Sequence, residues 1–516
     1  MTTKTDGGAA SAGANEATRR EAPLAMDADR FRAAGHRLVD RVADLLASVP
    51  ERPVTRGEAP SGVRAALDLN GPLPEEGCEP EALLTTTAGL LFDHSLFNGH
   101  PRFFGYITSP PAPVGILGEM LAAAVNANAG AWILAPAATE IETQTIRWIA
   151  ELIGYRASAG GILVSGGNMA NFVGFFAARA AMAPWPVREK GTAGGPPLRA
   201  YGSAETHTWI QKAADLAGMG TESVRWIETD GALRMRVDAL RRKIREDRER
   251  GDVPFLVVGT AGSVGTGAVD PLPEIAALCR EEKIWFHVDG AYGGLAAAVP
   301  EAPEDLRGLA LADSVAVDPH KWLYAPIEAG CALVRDPARL RAAFAYHPPY
   351  YRFGEEGLNY VEYGPQNSRG FRALKVWLAL RHAGAKGYRA MIAEDMRLSR
   401  VMAERVDAES DLERFTQSLS ITTFRFLPRD LRERRGEAEV AEYLDRLNQD
   451  LLDRIQNGGE CFVSNAVIGG RYVLRACIVN FHTGEADVAA VPAIAARVGR
   501  EVDAALRPAA LRAART

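Results

Sequence analysis

Short apolar segments alternate with longer helical patterns between about residues 113 and 380. This alternation constrains the fold most, because strands separated by helices pair into a mostly parallel sheet that is covered on both faces. Ligands of such sheets gather at the carboxyl ends of the strands. The apolar segments are residues 162–164, 224–227, 255–258, 284–286, 315–317 and 332–334.

The rest of the chain of 516 residues predicts three further parts around this α/β sheet. An N-terminal stretch rich in Ala, Gly, Thr and Glu has no apolar periodicity, which is typical of a disordered tail. An apolar stripe at helical spacing then begins after Asp27, a predicted N-cap. Strand-like runs among helical patterns near the C-terminus predict a small α+β domain. The predicted boundaries are 1–24 for the tail, 25–112 for the N-terminal helical segment, 113–380 for the large domain and 381–516 for the small domain.

A lysine follows the apolar segment 315–317, within the sequence Asp-Pro-His-Lys-Trp at residues 318–322. The proline ends the strand, so Lys321 is expected at the strand's carboxyl end. A partly desolvated lysine loses its proton more easily, and a neutral amine condenses with an aldehyde to form a Schiff base. A lone lysine after a strand is more often an ordinary surface residue. Whether Lys321 is functional therefore depends on the other motifs of the chain.

A second motif, which contains Asp289, Gly290 and Ala291, closes the apolar segment 284–286. A carboxylate at the end of a buried strand is costly as a charge unless a cation or a strong donor faces it. A protonated pyridine nitrogen is such a partner. The small Gly290 and Ala291 leave room for a flat ring against the backbone.

Together the two motifs resemble pyridoxal phosphate enzymes of fold type I, the aspartate aminotransferase-like fold. More narrowly, the chain is similar to the group II amino-acid decarboxylases, among them the aromatic L-amino-acid, histidine and glutamate enzymes. A histidine followed by the cofactor lysine and a bulky residue is a specific signal of that family. The resemblance covers most of residues 27–500. It implies pyridoxal 5'-phosphate as cofactor, an amino-acid substrate, and a homodimer with shared active sites.

A glycine pair follows the segment 162–164 and leads into an Ala-rich helical stretch. Free backbone N–H groups and the helix dipole favour an anion at such a helix start. Alone this is a weak signal, because Gly-rich turns between a strand and a helix are common. The stretch does not match the Walker lysine loop, and its spacing differs from that of the dinucleotide fingerprint. The resemblance assigns Gly166, Gly167 and Asn168 to the cofactor phosphate.

The resemblance also implies roles for residues around the cofactor ring. His207, before a predicted helix, is expected to stack on the ring, and Asp289 is expected to keep the ring nitrogen protonated. His320 is expected to flank the phosphate and Lys321. Asp318 departs from the asparagine that many members carry. The expected cofactor site is Gly166, Gly167, Asn168, His207, Asp289, Ala291, Asp318, His320 and Lys321.

An aromatic cluster followed by small polar residues occupies residues 100–109. Aromatic residues at this density usually belong to the hydrophobic core. The resemblance instead implies that they line the substrate pocket, and we give the two interpretations equal weight. All the expected pocket side chains are apolar or neutral, which favours an aromatic or bulky hydrophobic substrate. They are Phe103, Tyr106, Ile107 and Thr108, with Trp132 and Ile133 contributed from across the dimer.

The polar stretch 347–357, with two prolines and two glycines, predicts a mobile loop. It resembles the family's catalytic loop, whose tyrosine reaches the partner's active site. Tyr350 is the expected proton donor and Tyr351 the alternative. Because related aldehyde synthases carry phenylalanine at this place, Tyr350 favours plain decarboxylation. Arg369, in another stretch that resembles a family signature, is expected to support the site by hydrogen bonds.

The composition argues against several other classes of protein. A net charge of −6 does not favour nucleic-acid binding, and no apolar run reaches the roughly 18 residues of a membrane helix. The five cysteines are scattered without metal-ligand spacing, which predicts no metal site and a reducing, cytoplasmic location.

The predicted catalytic residues are Lys321, Tyr350, His207 and Asp289. The predicted function is decarboxylation of an aromatic or bulky hydrophobic L-amino acid to its amine and CO2. The alternatives are a decarboxylase of a branched amino acid, glutamate or diaminobutyrate, and an aldehyde synthase or oxidative deaminase on the same fold.

Overall fold

The structure, a computed structural model, describes residues 22–67, 71–348 and 357–512. The described residues fall into two compact units, one within Met1–Val49 and Ala59–Ser95 and the other within Pro50–Glu58 and Leu96–Thr516. The first unit consists of α1 (Ala28–Ser48), α2 (Pro60–Ala66) and α3 (Pro80–His94), with α1 packed against α3. Asp27 caps α1 as predicted, since its carboxylate accepts the backbone N–H groups of the first turn.

The second unit is built on a seven-stranded sheet. Its strands are β1 (Gly160–Val164), β2 (Leu198–Ser203), β3 (Val224–Ile227), β4 (Val253–Thr260), β5 (Trp285–Asp289), β6 (Ser314–Val317) and β7 (Gly330–Val334). Their order across the sheet is β1-β7-β6-β5-β4-β2-β3, and β7 runs antiparallel to both of its neighbours. The mostly parallel sheet of the predicted fold class is therefore confirmed.

Each predicted apolar segment overlaps one of these strands, whereas the sequence pattern did not reveal β2. The reason is that Arg199 and Gly202 interrupt the apolar run of β2. Its two neighbours in the sheet, β3 and β4, were both predicted. Buried side chains on both faces form one hydrophobic core around the sheet. The helices of this part are α4 (Pro113–Val125), α5 (Pro136–Leu152), α6 (Gly167–Met182), α7 (Val187–Lys190), α8 (Trp209–Leu216), α9 (Val237–Glu249), α10 (Leu272–Glu282), α11 (Ala338–Phe344) and α12 (Ala373–Ala408).

A second sheet near the C-terminus is fully antiparallel. It contains β8 (Leu412–Ser418), β9 (Ile421–Phe426), β10 (Ser464–Ile468) and β11 (Arg471–Cys477) in the order β10-β11-β9-β8. With α13 (Ala438–Gly458) and α14 (Glu485–Leu506) it encloses a second hydrophobic core. The predicted small α+β fold is thus observed. The four domain boundaries stay predictions, and the one at 380/381 falls within α12, four residues before the non-helical Gly384.

Two further features concern the cysteines and the helices. The five cysteines are all free thiols, and every one except Cys78 is buried. Within residues 22–67, 71–348 and 357–512, no helix combines the length and the hydropathy that a membrane crossing requires.

Candidate active site

A cavity of about 420 Å³ opens at the carboxyl ends of the parallel strands. The residues that end or follow β1, β4, β5 and β6 line it, because the carboxyl ends of parallel strands meet at one edge of a sheet. All nine residues predicted for the cofactor site lie in this lining: Gly166, Gly167, Asn168, His207, Asp289, Ala291, Asp318, His320 and Lys321. Residues far apart in the sequence therefore converge on one space.

The first turn of α6 forms one wall of the cavity. Gly166, the N-cap, has φ 107°, a backbone conformation that residues with a Cβ rarely adopt. A Cβ on Gly167 would lie 2.6 Å from Oδ2 of Asp318, so only glycine allows this close approach. Because the first N–H groups of a helix lack intrahelical partners, this turn offers donors and a positive dipole end to an anion.

Lys321 contacts Asp318 in the cavity lining. Its Nζ lies 3.0 Å from Oδ2 of Asp318, and the two side chains are 16% and 3% exposed. Nε2 of His320 lies 3.8 Å from the same oxygen, while Nδ1 lies 2.7 Å from the carbonyl oxygen of Ala329. Burial lowers the pKa of His320, so its imidazole is neutral near pH 7. Oδ1 of Asp318 is buried and accepts no hydrogen bond from the described residues.

Asp289 ends β5, also lines the cavity and is 7% exposed. Its Oδ2 accepts the indole N–H of Trp209 at 2.7 Å, and its Oδ1 accepts the backbone N–H of Ala291 at 3.2 Å. These donors hold the carboxylate in a fixed orientation. Each oxygen keeps a lone pair for a further donor.

The ring of His207 is open to the cavity. Its Nδ1 accepts the backbone N–H of Trp209 at 3.3 Å, which fixes the side chain at the start of α8. Desolvation by the surrounding protein lowers the pKa of His207 and outweighs the opposing effect of Asp289. A neutral, flat imidazole therefore faces the space beside Asp289 and Lys321.

Several residues in the cavity lining or directly behind it were given no role from the sequence. Trp209 stands two positions after His207, and only the fold shows that its indole meets Asp289. Thr260 ends β4, and its buried hydroxyl has no partner among the described residues. Burial raises the pKa of Glu205, another lining residue. The position of Thr260 at the end of a strand could have indicated that it lines the site. Nothing in the sequence indicated this for Glu205.

None of the side chains predicted for the substrate pocket lines the cavity of the single chain. These side chains are Phe103, Tyr106, Ile107, Thr108, Trp132 and Ile133. Phe103 stacks on Phe462 with ring centroids 5.2 Å apart, and Tyr106 is 60% exposed. The segment nevertheless passes beside the lysine, because the hydroxyl of Ser109 donates to the carbonyl oxygen of His320 at 2.9 Å.

Two groups of predicted residues either concern the partner subunit or lie outside the described residues. Trp132 and Ile133 were expected to act in the partner's site; here the indole N–H of Trp132 donates to Glu140, and Ile133 is 66% exposed. Tyr350 and Tyr351 lie outside the described residues. The substrate-pocket and proton-donor assignments stay predictions.

Arg369 is buried outside the cavity lining and contacts β1. Its guanidinium donates to the carbonyl oxygens of Ala129 and Leu163 at 2.8 and 2.7 Å. It also pairs with Glu142 at 2.5 Å, and the same Glu142 oxygen accepts the N–H of Leu163 at 2.9 Å. Since β1 lies at the edge of the sheet, these two side chains bind backbone groups of an edge strand that leads into the glycine turn.

Comparisons with known proteins agree with this geometry. The family model described as the pyridoxal-dependent decarboxylase conserved domain matches residues 69–426. An aromatic-L-amino-acid decarboxylase of Bacillus atrophaeus is 33% identical over 465 residues, which are 89% of this chain and 93% of that protein. A phenylacetaldehyde synthase of a Rosa hybrid cultivar is 29% identical over 472 residues, 88% of this chain and 91% of that protein.

Solved structures give the same result. The crystal structure of mouse CSAD has a TM-score of 0.86 at 27% identity, covering 92% of this chain and 99% of that chain. The crystal structure of Oryza sativa TDC with PLP and tryptamine has a TM-score of 0.85 at 27% identity, covering 93% and 99%.

Proposed function

Because the chain belongs to the pyridoxal-dependent decarboxylase family, we propose that it releases CO2 from an aromatic L-amino acid in the cavity at the sheet edge. The cofactor of the family is pyridoxal phosphate. The observation that carries the proposal is the convergence of an amine, a carboxylate and an imidazole, from Lys321, Asp289 and His207, on one cavity.

The cavity residues fit this cofactor. The first turn of α6 suits its phosphate, and the carboxylate of Asp289 suits a protonated ring nitrogen. The neutral imidazole of His207 suits a ring face, and Lys321 supplies the amine for the aldehyde. When bound, pyridoxal phosphate supplies an electron sink for the electron pair left by the departing CO2.

The protein's own groups then have defined tasks. Trp209 and Ala291 fix the carboxylate of Asp289. Its negative charge would keep the ring nitrogen of the cofactor protonated. The free amine of Lys321 lies 3.0 Å from Asp318, so Asp318 would hold this amine whenever the substrate occupies the aldehyde carbon in its place. Tyr350 is proposed to return a proton to the substrate carbon, with water excluded by its loop.

The charges around the cavity support an aromatic rather than an acidic substrate. Among the described residues that line it, Lys321 is the only lysine or arginine. Two further carboxylates, Glu205 and Glu328, also line it, and that of Glu328 already accepts from Arg372 at 2.7 Å. A glutamate side chain would meet negative charge here without a free cation.

The test is a panel assay with the purified protein and pyridoxal phosphate. Tryptophan, tyrosine, phenylalanine, histidine, branched amino acids, glutamate and diaminobutyrate are each supplied, and CO2 and amine are measured. We expect the highest kcat/KM for an aromatic acid and none for a Lys321→Ala control. Preference for glutamate or diaminobutyrate would refute the substrate class, and activity in the control would refute the lysine assignment.

A second candidate function is an aldehyde synthase at the same site, because relatives of about 29% identity carry that name. It would release aldehyde and peroxide rather than amine. Measuring all three products from the same reaction separates the two functions. We expect amine in large excess, in agreement with a tyrosine at position 350.

We also propose that the protein acts as a homodimer with shared active sites. One face of α4 carries apolar side chains that are 48–66% exposed, at helical spacing: Leu117, Met120, Leu121 and Val125. Contiguous exposed apolar residues of this kind mark an interface. Analytical ultracentrifugation should give a dimer that Leu121→Glu weakens, whereas a wild-type monomer would contradict the proposal.

The free thiols favour a reducing, cytoplasmic location, which fluorescent tagging can test.

A further inference from the structure

The residues that follow Lys321 are tied to a buried acid on α12. Residues 318–325, called here the lysine loop, contain Trp322 and Tyr324, which are 0% and 1% exposed. The indole N–H of Trp322 donates to Oδ2 of Asp395 at 2.7 Å, and the hydroxyl of Tyr324 donates to the same oxygen at 2.8 Å. Asp395 is itself 2% exposed. One carboxylate oxygen therefore holds two points of the loop.

The loop needs such an anchor for a conformational reason. Tyr324 has φ 53°, in the left-handed region that a residue with a bulky side chain rarely occupies. Its hydrogen bond to Asp395 and its stacking on Tyr388, 6.3 Å between centroids, favour this conformation. The hydroxyl of Tyr388 in turn donates to the carbonyl oxygen of Leu323 at 3.0 Å. These contacts together oppose a change of the Tyr324 backbone to a more common conformation.

The same anchor reaches the cavity wall through an aromatic stack. The rings of Trp322 and Tyr292 lie 4.9 Å apart with an interplanar angle of 21°. Tyr292 lines the cavity, and its hydroxyl lies 2.7 Å from that of Ser420. Fixing Trp322 therefore fixes both the residue next to the lysine and one wall of the cofactor cavity.

We propose that Asp395 is a positioning residue, which through Trp322 and Tyr324 holds Lys321 in the orientation that retains the cofactor. It touches no reacting atom and acts through the lysine loop. This inference rests on the proposed role of Lys321. Asp395 lies on α12, one buried layer beyond the cavity lining, and no sequence motif marked this residue.

The test starts from holoenzymes and measures cofactor release rather than turnover. Asp395→Leu removes the acceptor, and Trp322→Phe keeps a stacking ring but removes the donor. Asp395→Asn keeps one oxygen that can accept both donors. Glu394→Gln, the neighbouring exposed acid that pairs with Arg397, is the matched control. The release rate of pyridoxal phosphate, its absorbance band and the Tm are recorded for each variant.

We expect Asp395→Leu and Trp322→Phe to release the cofactor roughly fivefold faster or more, with a shifted or broadened band. Asp395→Asn and Glu394→Gln should keep the release rate and the absorbance band near wild-type values. If Tm falls in the first two variants while release rate and band stay at wild-type values, the role is structural only and the proposal fails. If Asp395→Leu does not fold, Trp322→Phe decides. Should Lys321→Ala keep the wild-type band, the lysine assignment fails instead, so the two failures are distinguishable.

Discussion

Replacing Arg369 by methionine should destabilise the protein more than most single substitutions. Arg369 and Glu142 are each 1% exposed, so the change leaves a carboxylate buried without its cation. Removing one partner of a buried pair costs about 3–5 kcal/mol in the free energy of unfolding. The carbonyl oxygens of Ala129 and Leu163 also lose their donors. We therefore expect a loss at the upper end of this range.

A double variant separates the charge from the geometry. Glu142→Leu combined with Arg369→Met removes both charges, which is often neutral or stabilising for a buried pair. The backbone groups of Leu163 still lack partners, at about 1–3 kcal/mol each when buried. The double variant should thus recover part, though not all, of the loss.

The assay is urea unfolding of the holoenzyme, followed by tryptophan fluorescence. The protein concentration is the same throughout, because the proposed dimer and the bound cofactor would each add to the free energy of unfolding. Arg369→Lys serves as a control that keeps the charge without the planar fork, and it should lose less than Arg369→Met. A loss below about 1 kcal/mol in Arg369→Met, or a double variant no more stable than the single one, would refute the reasoning.

Three further predictions concern the cavity and its support. Asp318→Asn should bind pyridoxal phosphate roughly fivefold more tightly by fluorescence titration, because it removes a carboxylate close to the phosphate turn; unchanged or weaker binding would contradict this. Tyr350→Phe should lower amine and raise aldehyde in the product assay, and an unaltered ratio would transfer the role to Tyr351 or elsewhere. Burial raises the pKa of Asp395 to about 7, so the folded state holds this proton more tightly than the unfolded state does. Its contribution to the free energy of unfolding should therefore fall by up to about 1.4 kcal/mol per pH unit between about pH 4 and 7 and then level off. Urea unfolding should therefore show that the free energy of unfolding of Asp395→Asn, relative to wild type, is higher at pH 8 than at pH 5. The same difference between the two proteins at both pH values would contradict this prediction.

The sequence was sufficient to predict the class of fold and the convergence of Lys321, Asp289 and the glycine turn on one cavity. Apolar strand segments carry their own signal, and Lys321, Asp289 and the glycine turn each stand where a strand ends or a helix begins. Those positions share one edge in any parallel sheet, so their meeting could be expected before any coordinates. A strand such as β2 escaped because Arg199 and Gly202 break its apolar pattern, and its neighbours in the sheet decide its conformation.

Other features depend on contacts between residues far apart in the chain. Trp209 is hydrogen-bonded to Asp289, 80 positions away in the sequence, and Arg369 to Glu142, 227 positions away. Trp322 is hydrogen-bonded to Asp395, 73 positions away. Hydrogen bonds of this kind leave no periodicity in a sequence, because each partner is an ordinary residue of its own helix or strand.

The sequence by itself determined which residues could carry the chemistry, since amine, imidazole and carboxylate groups at element ends are local properties. Only the tertiary structure decided how those groups are oriented and desolvated, because burial and hydrogen-bond partners come from the elements packed around them.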